Sequence, residues 1–166
     1  MGNDIDMITY EKAHELFKIN ENWELVWKVS TGRRVKVGDI AGTVNNKGYR
    51  SIRIDGKDYL AHRLIWLMVH GKSPADMLDH INGIKLDNRV SNLREATSQQ
   101  NQQNQTKPQV NSKTGFLGVS LHKRGRFYAR ISINGKQKNL GLFNTPEQAH
   151  DAYLTAKRQH HEFCTI

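Results

Sequence analysis

Four polar residues near the middle of the chain are of types that can accept a proton or bind a hard cation. Asp79 and His80 are adjacent. Asn92 follows twelve positions after His80, and Asn101 nine positions after that. Hydrolysis needs a base to activate water, which a neutral histidine can supply near pH 7, and a hard cation held by oxygen ligands to stabilise the phosphate charge. Taken singly, each of these residue types is more often a polar surface residue or a turn residue. The prediction therefore rests on their joint spacing.

The patterns around these residues predict the elements that must position them. We expect a strand over 77–81, a polar loop over 82–91, a strand over 92–96 and a helix from Thr97. Thr97 and Gln100 form a capping box, and the helix that it opens would contain Asn101 and Asn104. Because neighbouring side chains on a regular strand point to opposite faces, Asp79 and His80 can serve one phosphate only if the strand ends or bends there.

The preceding region is predicted to form a helix and hairpin. The expected elements are a helix over 8–18, an extended segment over 23–29, a strand-like region over 35–60 and a helix over 61–70. Asp55-Gly56 supplies a hairpin turn, and Gly71 a helix end. Two further histidines, His62 and His70, are candidates for the site, but we expect His62 to be buried and structural.

Several blocks around these residues resemble the HNH endonucleases, which have a ββα-metal fold, and in particular their phage and mobile-intron branch. The blocks are His62-Arg63-Leu64, Asp79-His80-Ile81-Asn82-Gly83, Leu86-Asp87-Asn88-Arg89 and Asn92-Leu93-Arg94 with Thr97. The resemblance covers about residues 45–105. It implies that His80 is the general base, that Asn92 holds its imidazole by a hydrogen bond, and that Asp79 and Asn101 bind the metal.

The resemblance also implies a cofactor. Only Asp79, Asp87 and Glu95 supply carboxylates nearby, which favours one divalent ion, Mg²⁺ by default or Mn²⁺ as a substitute. Asn101 stands where the family often has histidine, and a neutral amide is a weaker ligand. With Cys164 as the single cysteine, we expect no structural zinc and no internal disulfide. Arg63, Arg89 and Arg94 are expected to contact phosphates or pair with Asp87 and Glu95.

The net charge of +9 is concentrated at the C-terminal end. Residues 1–110 hold 16 Lys and Arg against 13 Asp and Glu, whereas residues 111–166 hold 9 against 3. An excess of this size favours a polyanionic partner, either nucleic acid or an anionic membrane surface. No apolar run approaches the length of a membrane span, so we expect a cytoplasmic protein without a membrane partner.

In the last third of the sequence, apolar and polar residues alternate as they do in β-strands, and a helical pattern follows. Strands are expected over 116–121, 127–133 and 136–143, with a turn at Asn134-Gly135 and a helix from Thr145 to about His160. Gly118-Val119-Ser120, residues 126–131, residues 140–143 and the Thr145–Tyr153 pattern resemble the Apetala-two, or ethylene-response-factor, DNA-binding domain. We expect six side chains to contact DNA from one face of this sheet, namely Arg124, Arg126, Tyr128, Arg130, Lys136 and Lys138.

The predicted fold is α+β. An HNH ββα-metal domain, with a helix and hairpin region before it, occupies residues 1–104 and has its core at about 77–104. Residues 105–114 form a linker, and residues 115–166 form a three-stranded antiparallel sheet packed on one helix. The predicted function is metal-dependent cleavage of double-stranded DNA by a homing-type endonuclease, monomeric or weakly dimeric, with no small-molecule cofactor. A catalytically inactive DNA-binding regulator is the alternative, and the lack of an aromatic single-strand motif disfavours RNA binding.

Overall fold

A computed structural model describes residues 8–32, 34–109 and 111–166. Residues 1–7 of the predicted domain 1–104, Arg33, and Val110 of the predicted linker lie outside the described residues. The chain divides into two compact units between Glu95 and Ala96. The assignment of 1–104, 105–114 and 115–166 as domain, linker and domain stays a prediction.

The described residues form a mixed α+β structure with several small antiparallel sheets. The helices are α1 (Tyr10–Leu16), α2 (Ala61–His70), α3 (Ser98–Gln103) and α4 (Pro146–His160). The strands of the first unit are β1 (Phe17–Ile19), β2 (Leu25–Trp27), β3 (Thr43–Val44), β4 (Arg50–Ile54), β5 (Lys57–Leu60), β6 (Met77–His80) and β7 (Leu93–Ala96), the last reaching the boundary. The second unit has β8 (Val119–Leu121), β9 (Phe127–Ile133) and β10 (Lys136–Phe143).

Local sequence explains most ends of these elements. Thr9 caps α1 by accepting a hydrogen bond from the Lys12 amide, and Gly71 ends α2 in the left-handed conformation. The predicted helix over 8–18 is too long, because Phe17 leaves the helical region and begins β1, where it pairs with Trp27. Asp55 and Gly56 form the predicted hairpin turn with positive φ angles, and they join β4 to β5.

The first unit has one apolar core, built from α1, α2 and the strands β1, β2 and β4. Phe17 and Trp27 pack with ring centroids 4.6 Å apart, and Ile52 and Ile65 are fully buried. His62 lies on α2 at the border of this core and is 4% exposed, as predicted for a structural residue. Burial, together with the charges of His80 and Arg63, lowers the pKa of His62 to about 3.

The second unit packs a three-stranded antiparallel sheet, in the order β10-β9-β8, on α4. Ala129 and Ile131 of β9 are buried, and they face a helix surface made of Ala149, Tyr153 and Ala156. Alternation along β9 therefore places its apolar side chains under the helix, as the sequence predicts. The first predicted strand, 116–121, is shorter than expected because Thr114 Oγ1 donates to the Val119 carbonyl and accepts from the Phe116 amide, which holds this segment in a turn.

Part of the predicted linker is held against α4. Lys157 is almost fully buried, and its ammonium group donates a hydrogen bond to the carbonyl of Gln105. Thr165 donates to the side-chain oxygen of Asn104, 2.7 Å away, just after α3 ends at Gln103. Asn104 thus lies beyond the helix that was predicted to contain it. Both contacts lie within the second unit. They hold the two residues that directly follow α3.

None of the helices in the described residues combines the length and the apolar character needed to cross a membrane.

Gly118 should not tolerate a side chain. Its φ is +76°, and an added Cβ would lie 2.0 Å from the Tyr153 ring. Gly118→Ala is expected to lower the free energy of unfolding by about 2–5 kcal/mol through backbone strain and overpacking. Gly125→Ala is the matched control, because its φ is +73° with nothing within 4 Å; it should cost only about 1–2 kcal/mol. Equal losses in urea denaturation would contradict the close contact with Tyr153.

Stability should fall in acid because His62 stays neutral in the folded chain. Below pH 6.5 or so, the unfolded chain binds a proton at this residue that the folded chain does not bind until the pH nears 3. The free energy of unfolding should therefore fall by up to about 1.4 kcal/mol per pH unit between these values, and His62→Gln should flatten that slope. Urea denaturation of both proteins from pH 7 to pH 4 measures the slopes, and parallel curves would refute this assignment.

Candidate functional site

Asp79 and His80 occupy the last two positions of β6, and both are buried. The strand ends at His80, where the Gly83 amide bonds back to the His80 carbonyl over 2.9 Å. The Ile81 amide bonds to the Asn92 carbonyl over 2.8 Å and so brings the two ends of the intervening loop together. The chain therefore turns directly after the pair, at the position where a strand end was expected.

The His80 ring lies against aromatic side chains. The His62 ring meets it edge-on with centroids 5.0 Å apart, and the Tyr49 ring lies at 5.9 Å. Burial lowers the pKa of His80, while the hydrogen bond from its ring to Asn88 and the nearby carboxylates of Asp79 and Asp87 oppose that shift. A histidine with a lowered pKa is neutral at pH 7, which is the form that accepts a proton.

Asn88 is a polar side chain in contact with this ring. Its Oδ1 lies 3.3 Å from His80 Nε2, and only 2% of the residue is exposed. The sequence-based prediction placed Asn92 in this role. Tyr49 was also missed: it precedes β4, it lies far from the motif in sequence, and burial raises its pKa with a further contribution from Asp79. The Leu86-Asp87-Asn88-Arg89 block was the available signal for Asn88.

Asn92 bonds to the loop between β6 and β7. The prediction that it holds the His80 imidazole by a hydrogen bond was therefore wrong. Its Nδ2 donates to Asn82 Oδ1 over 3.0 Å and to the Asp87 carbonyl over 2.8 Å, and its Oδ1 accepts from the Asn82 amide. The amide is engaged because Asn92 lies at the end of a 3₁₀ turn, Val90–Asn92, where its side chain reaches the loop backbone. Its status as a site residue remains a prediction.

The arginines near the site pair with carboxylates. Arg94 donates from Nε and Nη2 to Asp79 Oδ2 over 3.0 and 2.8 Å, instead of pairing with Glu95 or Asp87. Arg89 makes a bidentate pair with Asp87, and these bonds lower the Asp87 pKa to about 2. Arg94 therefore neutralises and orients the buried Asp79 carboxylate next to His80.

Asn101 lies on α3, in the second unit, whereas Asp79, His80 and Asn92 lie in the first. The described residues contain no group of three or more His, Cys, Asp or Glu side chains placed to hold a metal. Asp79 offers a buried carboxylate, which is a hard oxygen donor. A carboxylate suits a cation that retains water and binds phosphate oxygens, as Mg²⁺ does.

The second unit presents an exposed sheet face opposite α4. Tyr128 and Arg130 alternate with the buried Ala129 and Ile131, and the Arg130 guanidinium lies 4.6 Å from the Tyr128 ring centroid. Residues directly opposite on paired strands share a face. The pairs are Tyr128 with Ser120, Arg130 with Asn139 and Ser132 with Gln137. Arg126 precedes β9 and Arg124 lies in the turn before it, and both are exposed.

Lys136 and Lys138 do not share that face, so the expectation of one basic face was wrong. Lys136 is paired with Ile133, and Lys138 with Ile131. Both isoleucines belong to the side packed on α4. The two lysines remain exposed because they lie on the edge strand β10. The alternation of one strand was visible in the sequence, whereas the register between two strands was not.

Comparison with known proteins identifies the family of this chain. A sequence profile described as HNH endonuclease matches residues 59–103, which span α2, β6, β7 and α3. An uncharacterized HNH endonuclease of Acanthamoeba polyphaga mimivirus is 38% identical over 105 residues, which is 61% of this chain and 54% of that protein. This chain therefore spans about half the length of the mimivirus relative.

Protein 3.8 of Escherichia phage T7 is 30% identical over 104 residues, covering 61% of this chain and 85% of the phage protein. No solved structure gives a significant match. The profile match includes Asp79, His80, Asn92 and Asn101, the four residues singled out by their spacing. Together, the profile and the long match to the phage protein show that this chain belongs to the HNH endonuclease family.

Proposed function

We propose that this protein is a metal-dependent endonuclease that hydrolyses phosphodiester bonds of double-stranded DNA. The observation that carries the proposal is the buried His80 ring, held beside the Asp79–Arg94 ion pair within the segment that matches the HNH profile. A lowered pKa keeps His80 neutral, and a neutral imidazole can remove a proton from water as the water attacks phosphorus.

Asp79 and Asn101 are the proposed holders of the divalent ion. When bound, that ion supplies charge stabilisation at the phosphate and the leaving oxygen. Arg94 holds Oδ2 of Asp79 with two hydrogen bonds, which fixes the orientation of the carboxylate. Mg²⁺ is the proposed metal because the donors are oxygens, with Mn²⁺ as a substitute.

We propose that the second unit locates the enzyme on DNA, as a module of the Apetala-two type. Its exposed face carries Arg130 and Asn139 in register, and arginine and asparagine are side chains that read guanine and adenine edges. Lys136 and Lys138, at the edge of the sheet, would contact phosphates instead of bases. An endonuclease with a module of this kind fits a homing-type enzyme, which cuts at a chosen locus.

Replacing His80 should slow cleavage strongly without abolishing DNA binding. His80→Ala is expected to lower the rate of Mg²⁺-dependent nicking of supercoiled plasmid by about 10²–10⁴-fold, the usual contribution of a general base. His70→Ala is the matched control, because His70 is exposed at the end of α2 and packs against the Trp66 ring at a tilted angle. It should keep wild-type cleavage.

The plasmid test includes EDTA and DNA that carries the native locus. Cleavage that persists in EDTA would contradict the metal requirement, and cleavage that persists in His80→Ala would contradict the assigned base. A gel shift without any cutting by the wild-type protein would favour a catalytically inactive DNA-binding regulator.

The two sides of the C-terminal sheet should differ in what they contribute to binding. Arg130→Ala is expected to weaken binding to the preferred sequence by about 1–3 kcal/mol and to relax base preference. Lys138→Ala should weaken binding to all sequences similarly and reduce the salt dependence by about one phosphate contact. Binding to duplexes selected from a random pool, measured at several salt concentrations, separates these effects. Loss of base preference in Lys138→Ala with none in Arg130→Ala would reverse the assignment.

A further inference from the structure

The turn between β3 and β4, residues 45–49, brings a tyrosine to the candidate site. The centroid of the Tyr49 ring lies 5.9 Å from that of His80 and 5.3 Å from that of His62. Tyr49 precedes the segment that matches the HNH profile, which begins at residue 59. It is also none of the four residues singled out by their spacing, so its role is inferred from its contacts.

The backbone of this turn is held by Asn45. Its side-chain oxygen accepts hydrogen bonds from the Lys47 and Tyr49 amides over 3.0 and 3.1 Å. Its carbonyl accepts from the Gly48 amide over 2.9 Å, and its own amide donates to the Tyr49 carbonyl over 2.8 Å. Local hydrogen bonds therefore fix the position from which Tyr49 reaches the His80 ring.

Lys85 reaches the same turn from the loop between β6 and β7. Its ammonium nitrogen lies 4.8 Å from the centroid of the Tyr49 ring and donates to the Lys47 carbonyl over 2.8 Å. An ammonium group has three N–H donors, and Lys85 is exposed, so it can also bind an acceptor that arrives from solvent. Burial is the main cause of the lowered pKa of His80, and the charge of Lys85 adds to that shift, which places Lys85 within electrostatic reach of the base.

The Tyr49 side chain is half-buried, and its hydroxyl group can donate a hydrogen bond. Among residues 8–32, 34–109 and 111–166, the hydrogen bonds of Tyr49 are made by its backbone alone. Burial raises the pKa of the hydroxyl, and the Asp79 carboxylate adds to that shift, so the hydroxyl lies within electrostatic reach of Asp79. A neutral donor is therefore held close to both proposed groups of the site.

We propose that Tyr49 and Lys85 bind the phosphate that is cut. The Tyr49 hydroxyl donates to one of its non-bridging oxygens, and the Lys85 ammonium group holds the tyrosine ring and adds positive charge. Tyrosine and lysine side chains are usual partners of phosphate oxygens in complexes with DNA. Negative charge on the non-bridging oxygens grows as water adds to phosphorus, so a donor fixed there stabilises the transition state more than the bound substrate. The hydroxyl keeps its proton throughout. This inference rests on the proposed nuclease function.

Fluorine NMR tests the contact without any need for cleavage. In protein labelled with fluorotyrosine, the Tyr49 signal is the one that is missing from the spectrum of Tyr49→Phe. A duplex that carries the native locus, added in EDTA until a gel shift shows full binding, should move this signal and leave that of Tyr10, on α1, in place. An unchanged Tyr49 signal in fully bound protein would overturn the proposal. A protein that binds no duplex would overturn both the proposal and the function on which it rests.

Kinetics measure what each group contributes to cleavage. Tyr49→Phe removes the hydroxyl alone and should lower kcat about 10–100-fold, as loss of one hydrogen bond to a charged group does, with little change in the KM for DNA. Lys85→Met keeps an aliphatic side chain without the charge and should also lower kcat. Tyr10→Phe is the matched control, because Tyr10 is exposed on α1, and it should keep the wild-type kcat. A Tyr49→Phe enzyme with wild-type kcat would overturn the proposal and leave the nuclease function intact.

Sulfur substitution at the cut phosphate separates a direct contact from a general effect on the fold. Each non-bridging oxygen is replaced in turn by sulfur, which accepts hydrogen bonds weakly. At the oxygen that Tyr49 contacts, sulfur should slow the wild type but add little to the loss in Tyr49→Phe, because that hydrogen bond is already absent. Losses that multiply independently at both oxygens would overturn the direct contact. A wild type that shows the fluorine shift and cuts no DNA would support the contact with DNA and count against the nuclease function.

Discussion

The candidate site depends on the side-chain amide of Asn92. Its bonds to Asn82 and to the Asp87 carbonyl close the loop between β6 and β7. That closure keeps Asn88 against the His80 ring and keeps the chain turned directly after His80. An asparagine suits this position because one amide both donates and accepts, so it can satisfy three groups of the loop at once. Removing it would leave loop polar groups without partners, at a cost of about 1–3 kcal/mol each.

The site is a set of buried polar groups that satisfy one another, beside a small apolar core. Asp79 is buried with its charge met by Arg94, and burial of a carboxylate would otherwise cost several kcal/mol or so. His80 and His62 stay neutral because burial disfavours their charged forms. The lowered pKa values of these histidines reduce the stability of the first unit in acid. They also keep His80 neutral, which is the form that the proposed reaction needs.

In the second unit, one face of the sheet packs on α4 and the other is exposed. The alternation of β9 packs Ala129 and Ile131 under α4 and leaves Tyr128 and Arg130 exposed. Register then places Asn139 beside Arg130, while Lys136 and Lys138 lie on the helix side. The basic side chains of this sheet are thus divided between an exposed face and a sheet edge, which the proposed function assigns to bases and to phosphates respectively.

Local sequence by itself determined the elements and the family. Capping residues, positive-φ turns and period-two alternation predicted α2, the hairpin at Asp55-Gly56, the α3 capping box and the three-stranded sheet, because these signals act within a few residues. The sequence blocks around Asp79, His80, Asn92 and Asn101 resembled the HNH family, and the profile match over residues 59–103 confirms that assignment. Only the tertiary structure decided that Asn88 rather than Asn92 contacts the ring, that Tyr49 and His62 enclose it, that Arg94 pairs with Asp79, and which sheet face holds each lysine. Those contacts join residues distant in the chain, and packing and strand register, which no local pattern encodes, bring them together.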